Sequence, residues 1–298
     1  MEIVKVDALA GLKAALEAPE SKRWDVYQER VLEPLKSLWE PALAWAPAED
    51  DEQLSAEQKA VRALKLYSPD LDAEEGLRLI SLLEEAGSWP EVYYAVEESI
   101  RILDPYADDV KLPPVLTTLV LASDPMPRLK GYTGFGGRPG QVLVQVWPTD
   151  YNIPRLPAAA AHELHHNIRL TVEPWAFDTT VGQYIVMEGL AEAFAAELYG
   201  EESLGPWSDA LDDGEMAEVK PRYAEAMNIS GFNKIRGYIF GDWAAEEYGY
   251  EAVGLPDFAG YTIGYRLVRA YIERTGLNAA EATYKPWQEI VEGSGFFA

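Results

Sequence analysis

The sequence predicts a predominantly helical α+β protein, and two observations support this fold class. Apolar residues recur every three or four positions through most of the chain, which is the spacing of helices that bury one face. Two short segments, 115–122 and 141–147, carry the patterns of β-strands instead. We therefore expect a small sheet among many helices.

Residues 1–104 are predicted to form an N-terminal helical region. Helical patterns cover 9–16, 24–39, 61–67, 71–86 and 90–103. A stretch rich in proline and acidic residues, 41–52, interrupts them, and the aromatic residues at helical spacing are expected in the core. The Asp- and Pro-rich segment 104–114 is the predicted boundary with a second domain, 105–298.

The strands of the second domain flank a glycine-rich segment, 131–140. It is not a dinucleotide fingerprint, because Pro139 follows where a glycine is required, and no Gly-Lys-Ser/Thr follows as in a P-loop. A flexible rim or a hairpin turn is the better interpretation. Segment 115–122 is short and rich in Val, Leu and Thr, whereas 141–147 alternates and is predicted as a strand with one buried face.

Three further helices are predicted at 157–171, 178–199 and 258–275. Pro157 suits a first helical turn, the alanines at 158–161 favour helix, and Gly200 is a typical stop. Gly189 lies inside a helix at a cost of roughly 1 kcal/mol relative to alanine, so we expect it to pack closely against the alanine-rich helix. The acidic segment 201–225 is predicted to be a surface excursion, and the stretch after it has no clear periodicity.

Composition excludes several kinds of partner and site. Fifty acidic residues against 25 basic ones give a net charge of −25, which repels the phosphates of nucleic acid and of anionic membranes. The chain has no cysteine, so disulfides and thiolate ligands are impossible. Its first residues lack the basic segment and apolar run typical of a signal peptide, and no stretch approaches 18 uncharged apolar residues. We expect a soluble, cytoplasmic protein.

All three histidines lie in one short stretch, 162–166, with the sequence His-Glu-Leu-His-His. His162 and His166 are four residues apart, which places both imidazoles on one face of a helix, where they can hold a zinc ion. Glu163, between them, can then act as general base on an activated water. This arrangement predicts a hydrolytic site with one zinc ion per chain.

Such a site needs a third protein ligand. Val172 stands where a third histidine of a longer motif would be, and His165 points about 100° around the helix from its neighbours, so it is predicted to be a surface or hydrogen-bonded residue. A carboxylate remains. Glu188 on the following helix is the best candidate, and Asp178 is the second.

Two motifs together, His-Glu-Leu-His-His at 162–166 and Glu-Gly-Leu-Ala-Glu at 188–192, resemble those of the gluzincins, the zinc peptidases with a glutamate ligand. More narrowly, they resemble a bacterial family of predicted zinc-dependent proteases. The resemblance covers roughly 110–275 and implies a zincin-like metallopeptidase domain within 105–298, with a small mixed sheet and active-site helices.

The resemblance also implies a role for each matching residue. His162, His166 and Glu188 would be the zinc ligands and Glu163 the catalytic base. Glu192 would hydrogen-bond a ligand histidine from behind.

The developing oxyanion needs a further donor. With no other histidine in the chain, that donor must be a tyrosine, an arginine, an asparagine or a backbone group, and Tyr261 and Tyr265 are the candidates. Strand 141–147 resembles the edge strand on which zincins align an extended peptide, although an ordinary sheet strand explains its pattern equally well.

We therefore predict a zinc-dependent peptidase that acts on a peptide or protein. The alternatives are a non-catalytic module that binds zinc or peptide and a metallohydrolase of a non-peptide amide. The substrate and the oligomeric state do not follow from the sequence.

Overall fold

The computed structural model describes residues 1–42, 54–106 and 113–298. Most of the interrupting stretch 41–52 and the middle of the predicted boundary 104–114 lie outside the described residues. The described residues are mostly helical and contain one mixed sheet of four strands, so the predicted α+β class is confirmed.

The elements are numbered in chain order. The strands are β1 (Ile3–Val6), β2 (Val115–Leu121), β3 (Tyr132–Phe135) and β4 (Gln141–Val146). The helices are α1 (Ala8–Glu17), α2 (Arg23–Tyr27), α3 (Lys36–Ala42), α4 (Ala56–Ala63), α5 (Ala73–Glu85), α6 (Ser88–Leu103), α7 (Leu156–Val172), α8 (Val181–Tyr199), α9 (Asp213–Ala226), α10 (Phe232–Phe240), α11 (Asp242–Tyr248), α12 (Ala259–Thr275), α13 (Ala279–Ala282) and α14 (Trp287–Ser294).

Two compact units make up the chain, and neither is one continuous segment. The first unit contains 1–97, 113–135 and 140–160, and the second contains 98–112, 136–139 and 161–298. The division into separate domains at residue 104 stays a prediction.

The sheet belongs to the first unit and has the strand order β1-β2-β4-β3. β1 pairs with β2 and β2 with β4 in parallel, whereas β3 and β4 are antiparallel. The sequence did not predict β1, because four residues with an exposed centre are too short to show a period.

β4 is an interior strand, and this corrects two predictions. It pairs on both sides, so it cannot be the free edge strand that would align a peptide; the edge strands of the described sheet are β1 and β3. Nearly all of its residues are buried, on both faces. The buried amides of Gln141 and Gln145 donate hydrogen bonds to backbone carbonyls, Gln141 to Ser37 at 2.7 Å and Gln145 to Lys65 at 2.7 Å. Satisfied hydrogen bonds allow polar side chains to sit where the alternation predicted solvent.

The glycine-rich segment 131–140 forms β3 and the connection that returns to β4. The hairpin interpretation is therefore confirmed, but the first half of the segment is itself a strand.

In the second unit, α8 and α12 approach each other at a pair of glycines. A Cβ atom on Gly189 would lie 2.1 Å from the carbonyl oxygen of Gly264, and one on Gly264 would lie 2.1 Å from the carbonyl oxygen of Ile185. Gly189 thus has the expected packing role, but its neighbour is α12 and not the alanine-rich helix α7. The observed bounds of α7, α8 and α12 match the predicted ones closely.

The segment 201–225 is not only a surface excursion. It contains most of α9, and its residues Trp207 and Ser208 contact a buried carboxylate of α8. The following stretch, without clear periodicity, forms the short helices α10 and α11, which start and end at Gly231, Gly241 and Gly249. Helices of fewer than ten residues show too few turns for a period to emerge. None of the described helices has the length and apolar character that crossing a bilayer requires.

Candidate metal centre

α7 and α8 bring together His162, His166 and Glu188. The Nε2 atoms of both histidines lie 3.3 Å from the same oxygen, Glu188 Oε2, and all three side chains are buried. The possible ligand atoms lie within 4.8 Å of one another, so the group could hold a metal ion. Asp178, the second candidate, is exposed in the turn before α8.

The ligand distances suit zinc. Tetrahedral zinc with bonds of about 2.0–2.1 Å keeps its ligand atoms about 3.3–3.4 Å apart. Glu188 Oε2 is buried and has no hydrogen-bond donor among the described residues, although buried carboxylate oxygens are normally satisfied. A cation between the three atoms would provide what this oxygen lacks. The residues therefore fit the metal that their pattern predicts.

The electrostatics of the group also favour a positive charge. Burial acts to lower the pKa of His162, but the charge of Glu192 and the close contacts with the carboxylates of Glu188 and Glu192 raise that pKa well above 6.5. Burial acts to raise the pKa of Glu188, yet the charge of His166 and the contacts with both histidines lower it to about 2. The field that stabilises an imidazolium here would also stabilise a divalent cation.

Glu192 stands behind the group, one turn after Glu188 on α8. Its Oε1 lies 3.1 Å from His162 Nδ1, and its two oxygens also accept hydrogen bonds from Trp207 Nε1 and Ser208 Oγ. A carboxylate fixed at Nδ1 keeps the proton there and leaves Nε2 free as an acceptor. His162 thus presents to Glu188 the nitrogen that a metal would use.

Glu163 is buried at the start of the same helical turn, next to His162. Burial is the main cause that raises the pKa of its carboxyl, and the charges of His162 and His166 oppose the effect. Gly136 packs so tightly on this residue that a Cβ atom would lie 1.9 Å from the carbonyl oxygen of Glu163. Asn167 joins the two, because its Nδ2 donates to the carbonyl of Gly136 at 2.9 Å and to that of Glu163 at 3.3 Å.

The two candidate tyrosines have different surroundings. The ring of Tyr261 lies 6.2 Å from that of Trp207, which donates a hydrogen bond to Glu192, and burial raises the pKa of this tyrosine. Tyr265 instead accepts a hydrogen bond from Arg269 Nη1 at 3.4 Å.

His165 is buried rather than on the surface. Its Nε2 lies 2.9 Å from Thr283 Oγ1, and its ring lies 5.6 Å from that of Phe194. Burial lowers its pKa well below 6.5, so the ring is neutral at physiological pH. The hydrogen-bonded interpretation of His165 is confirmed.

Sequence reasoning missed Tyr184 and the residues that hold Glu192. Tyr184 precedes Glu188 by one turn of α8, and the same spacing separates Glu188 from Glu192, so the repeat of four was a readable signal. Its hydroxyl, like that of Tyr261, makes no hydrogen bond with a described residue. Trp207 and Ser208 gave no signal, because nothing local links them to α8.

Comparisons with known proteins agree with this site. The family model described as "Predicted Zn-dependent protease (DUF2268)" matches residues 89–292. "Uncharacterized protein YjfC" of Bacillus subtilis (strain 168) is 32% identical over 285 residues, which cover 94% of this chain and 93% of YjfC. "Uncharacterized protein YjaZ" of the same organism is 24% identical over 226 residues, 74% of this chain and 79% of YjaZ. No solved structure matches the chain.

Proposed function

The chain belongs to the family of predicted zinc-dependent proteases, and on this basis we propose that it is a zinc peptidase of the gluzincin type, with one zinc ion per chain and peptides or proteins as substrates. The observation that carries the proposal is the convergence of His162, His166 and Glu188 on one point beside Glu163.

In this proposal His162 Nε2, His166 Nε2 and Glu188 Oε2 hold the metal. Bound zinc supplies a Lewis acid that makes water a nucleophile near neutral pH and polarises a carbonyl group. Glu192 orients His162 through its Nδ1, and Trp207 and Ser208 keep Glu192 in place.

Glu163 moves the proton. Its carboxylate accepts a proton from the attacking water and then delivers it to the leaving amine. Its raised pKa supports this role, since a carboxyl with a higher proton affinity is a stronger base. The backbone at Glu163 is held by Gly136 and Asn167, which keeps the carboxylate in register with the metal ligands.

Tyr261 is the donor that we propose for the developing oxyanion, with Tyr184 as the second candidate. Burial raises the pKa of both phenols, so each keeps its proton and can donate it in a hydrogen bond. Both hydroxyls are uncommitted among the described residues, and the charges of Glu188 and Glu163 act on both. Tyr265 is engaged by Arg269 instead.

Metal content and a change of the base test the function together. We expect about one zinc per chain in the purified protein and none in His162→Ala. Glu163→Gln should keep its zinc and lose ~10²–10⁴-fold in kcat, the usual contribution of a general base. Hydrolysis that survives Glu163→Gln contradicts the mechanism.

Two further outcomes separate the alternatives. Zinc binding without hydrolysis of any peptide would indicate a binding module, and hydrolysis confined to small acyl amides would indicate a different metallohydrolase.

A further inference from the structure

We propose that Arg236 of α10 binds a carboxylate of the substrate and thereby selects peptides with an anionic group near the cleaved bond. This inference rests on the proposed peptidase function. It concerns a residue outside the metal-binding motifs, and four observations support it.

Within the described part of the chain, Arg236 lacks the carboxylate and hydrogen-bond partners that arginines usually have. No described residue forms an ion pair or hydrogen bond with its guanidinium, and its Nε is buried without an acceptor. In a chain with 50 acidic and 25 basic residues, carboxylates are plentiful, and other arginines of the second unit, such as Arg169 and Arg266, have found one. A buried donor without an acceptor costs about 1–3 kcal/mol, so a native structure rarely keeps one without a reason.

Three aromatic rings hold Arg236 in place. The guanidinium carbon lies 4.4 Å from the ring centre of Phe232, 5.2 Å from that of Tyr250 and 5.8 Å from that of Phe240. Cation–π contacts of this kind attract the charge without using its N–H donors. They therefore fix the side chain and leave its hydrogen bonds for a ligand, which suits a binding residue.

One of these rings, Phe240, also contacts the tyrosines near the candidate metal centre. Phe240 lies 6.4 Å from the ring of Tyr184 and 5.8 Å from that of Tyr261, the two tyrosines proposed above as oxyanion donors. Tyr184 precedes the ligand Glu188 by one turn of α8. A chain of ring contacts thus leads from Arg236 through Phe240 to Tyr184, one turn before the candidate ligand Glu188, and this aromatic wall lies within the second unit.

Arg236 is also accessible. Its side chain is only partly buried, and Phe232 beside it is exposed. A ligand from solvent can therefore reach the guanidinium while it lies along the aromatic wall.

The chemistry of the ligand follows from the guanidinium. Its planar fork matches the two oxygens of a carboxylate, and such charge-assisted pairs are about twice as strong as neutral hydrogen bonds. The carboxylate can be the C-terminus of a peptide or the side chain of an Asp or Glu. Since the net charge of −25 repels anions in general, any preference for a carboxylate must come from a local cation.

Binding of two small probes tests the proposal in the zinc-loaded full chain. N-acetylphenylalanine carries an aromatic ring and a carboxylate, and N-acetylphenylalaninamide differs only in lacking the charge. By calorimetry we expect the acid to bind about tenfold tighter than the amide, and Arg236→Gln to reduce this ratio by about fivefold. Zinc also attracts carboxylates, but that contribution is common to both proteins and leaves their difference intact.

Arg266→Gln is the matched control. It removes the same charge from the neighbouring helix α12, where Arg266 pairs with Asp209 at 2.7 Å, so it should keep the full preference. Arg236→Lys retains the charge without the fork and should keep part of the preference; it also serves if Arg236→Gln folds poorly. An unchanged preference in Arg236→Gln, or an equal loss in Arg266→Gln, would overturn the proposal.

Peptide substrates then identify the source of the carboxylate. A cleaved peptide is compared with its C-terminal amide and with versions in which each Asp or Glu is replaced by Asn or Gln. The replacement that lowers kcat/KM about tenfold with the wild-type enzyme, and does not lower it with Arg236→Gln, identifies the carboxylate that Arg236 recognises. If no peptide is cleaved but the probe preference depends on Arg236, the peptidase function fails and the carboxylate site stands. If peptides are cleaved without any preference for a carboxylate, the peptidase function stands and the carboxylate site at Arg236 fails.

Discussion

Glu188 is the residue on which the candidate centre depends most, because its Oε2 faces the nitrogens of both histidines. A histidine pair one turn apart on a helix is common enough, but a buried carboxylate oxygen with no hydrogen bond between two imidazoles is not. The site is thus defined by an acceptor to which none of the described residues donates a hydrogen bond.

Replacing this carboxylate tests the third ligand. Glu188→Ala should lower the zinc content from about one per chain to near zero, since two histidines alone hold the ion weakly. Asp178→Ala, at the exposed second candidate, should keep it. Metal analysis after gel filtration, with circular dichroism as a control for folding, decides between them. Zinc loss in Asp178→Ala but not in Glu188→Ala would show that the ligand is assigned wrongly.

The tyrosines offer a second test at this scale. Tyr261→Phe removes the proposed oxyanion donor without changing the volume of the ring, and we expect kcat to fall ~10²-fold with KM little changed. Tyr265→Phe, where the hydroxyl contacts Arg269, should leave kcat within about twofold. A large effect of Tyr184→Phe combined with none of Tyr261→Phe would transfer the role to Tyr184.

At the scale of elements, the site depends on how closely helices can pack. α8 carries Glu188 and Glu192 and is buried over most of its length. It meets α12 at Gly189 and Gly264, where each backbone occupies the space of the other's missing side chain. Glycine between the two glutamates is therefore a packing requirement, and its cost in helix propensity is the smaller effect.

This packing makes Gly189→Ala a test with a definite sign. Helix propensity favours alanine by about 1 kcal/mol, but its Cβ would lie 2.1 Å from the carbonyl oxygen of Gly264, which cannot move without separating the helices. Overpacking of this kind costs about 1–3 kcal/mol or more, so we expect a net loss in the free energy of unfolding in urea.

Gly214→Ala provides the comparison. Gly214 lies exposed in the first turn of α9, where a Cβ would meet only Asp212 Oδ1, at 3.3 Å. The free energy of unfolding of the Gly214→Ala protein should change little or rise by up to about 1 kcal/mol. Equal stability of the Gly189→Ala protein and the wild type would mean that the close approach of α8 and α12 is not needed.

For the whole molecule, a bound metal ion should stabilise the fold by cross-linking two helices. Its ligands come from α7 and α8, so an ion bound only by the folded chain adds its binding free energy to stability. At a free zinc concentration 100 times Kd this amounts to about 2.7 kcal/mol, which for a chain of this size corresponds to a Tm shift of about 5 °C.

Chelation measures this coupling. EDTA should lower the Tm of the wild type by about that amount in a calorimetric scan, and leave the Tm of Glu188→Ala unchanged. An equal shift in both proteins would mean that the chelator acts elsewhere than at this group of ligands.

The sequence by itself determined the parts of this protein that depend on local spacing. The histidine pair, the base beside it and the second glutamate motif follow from positions one turn apart on single helices, and such geometry hardly depends on the rest of the fold. For the same reason the long helices α7, α8 and α12 were predicted nearly to their ends.

Only the tertiary structure decided which surfaces meet. It placed β4 inside the sheet, gave Gly189 its partner on α12, brought Trp207 and Ser208 to Glu192, and separated Tyr261 from Tyr265. It also left Arg236 among aromatic rings, with no carboxylate partner among the residues that the structure describes. These contacts join residues far apart in the chain, and they are selected by the combined burial of whole elements, which no local pattern of residues encodes.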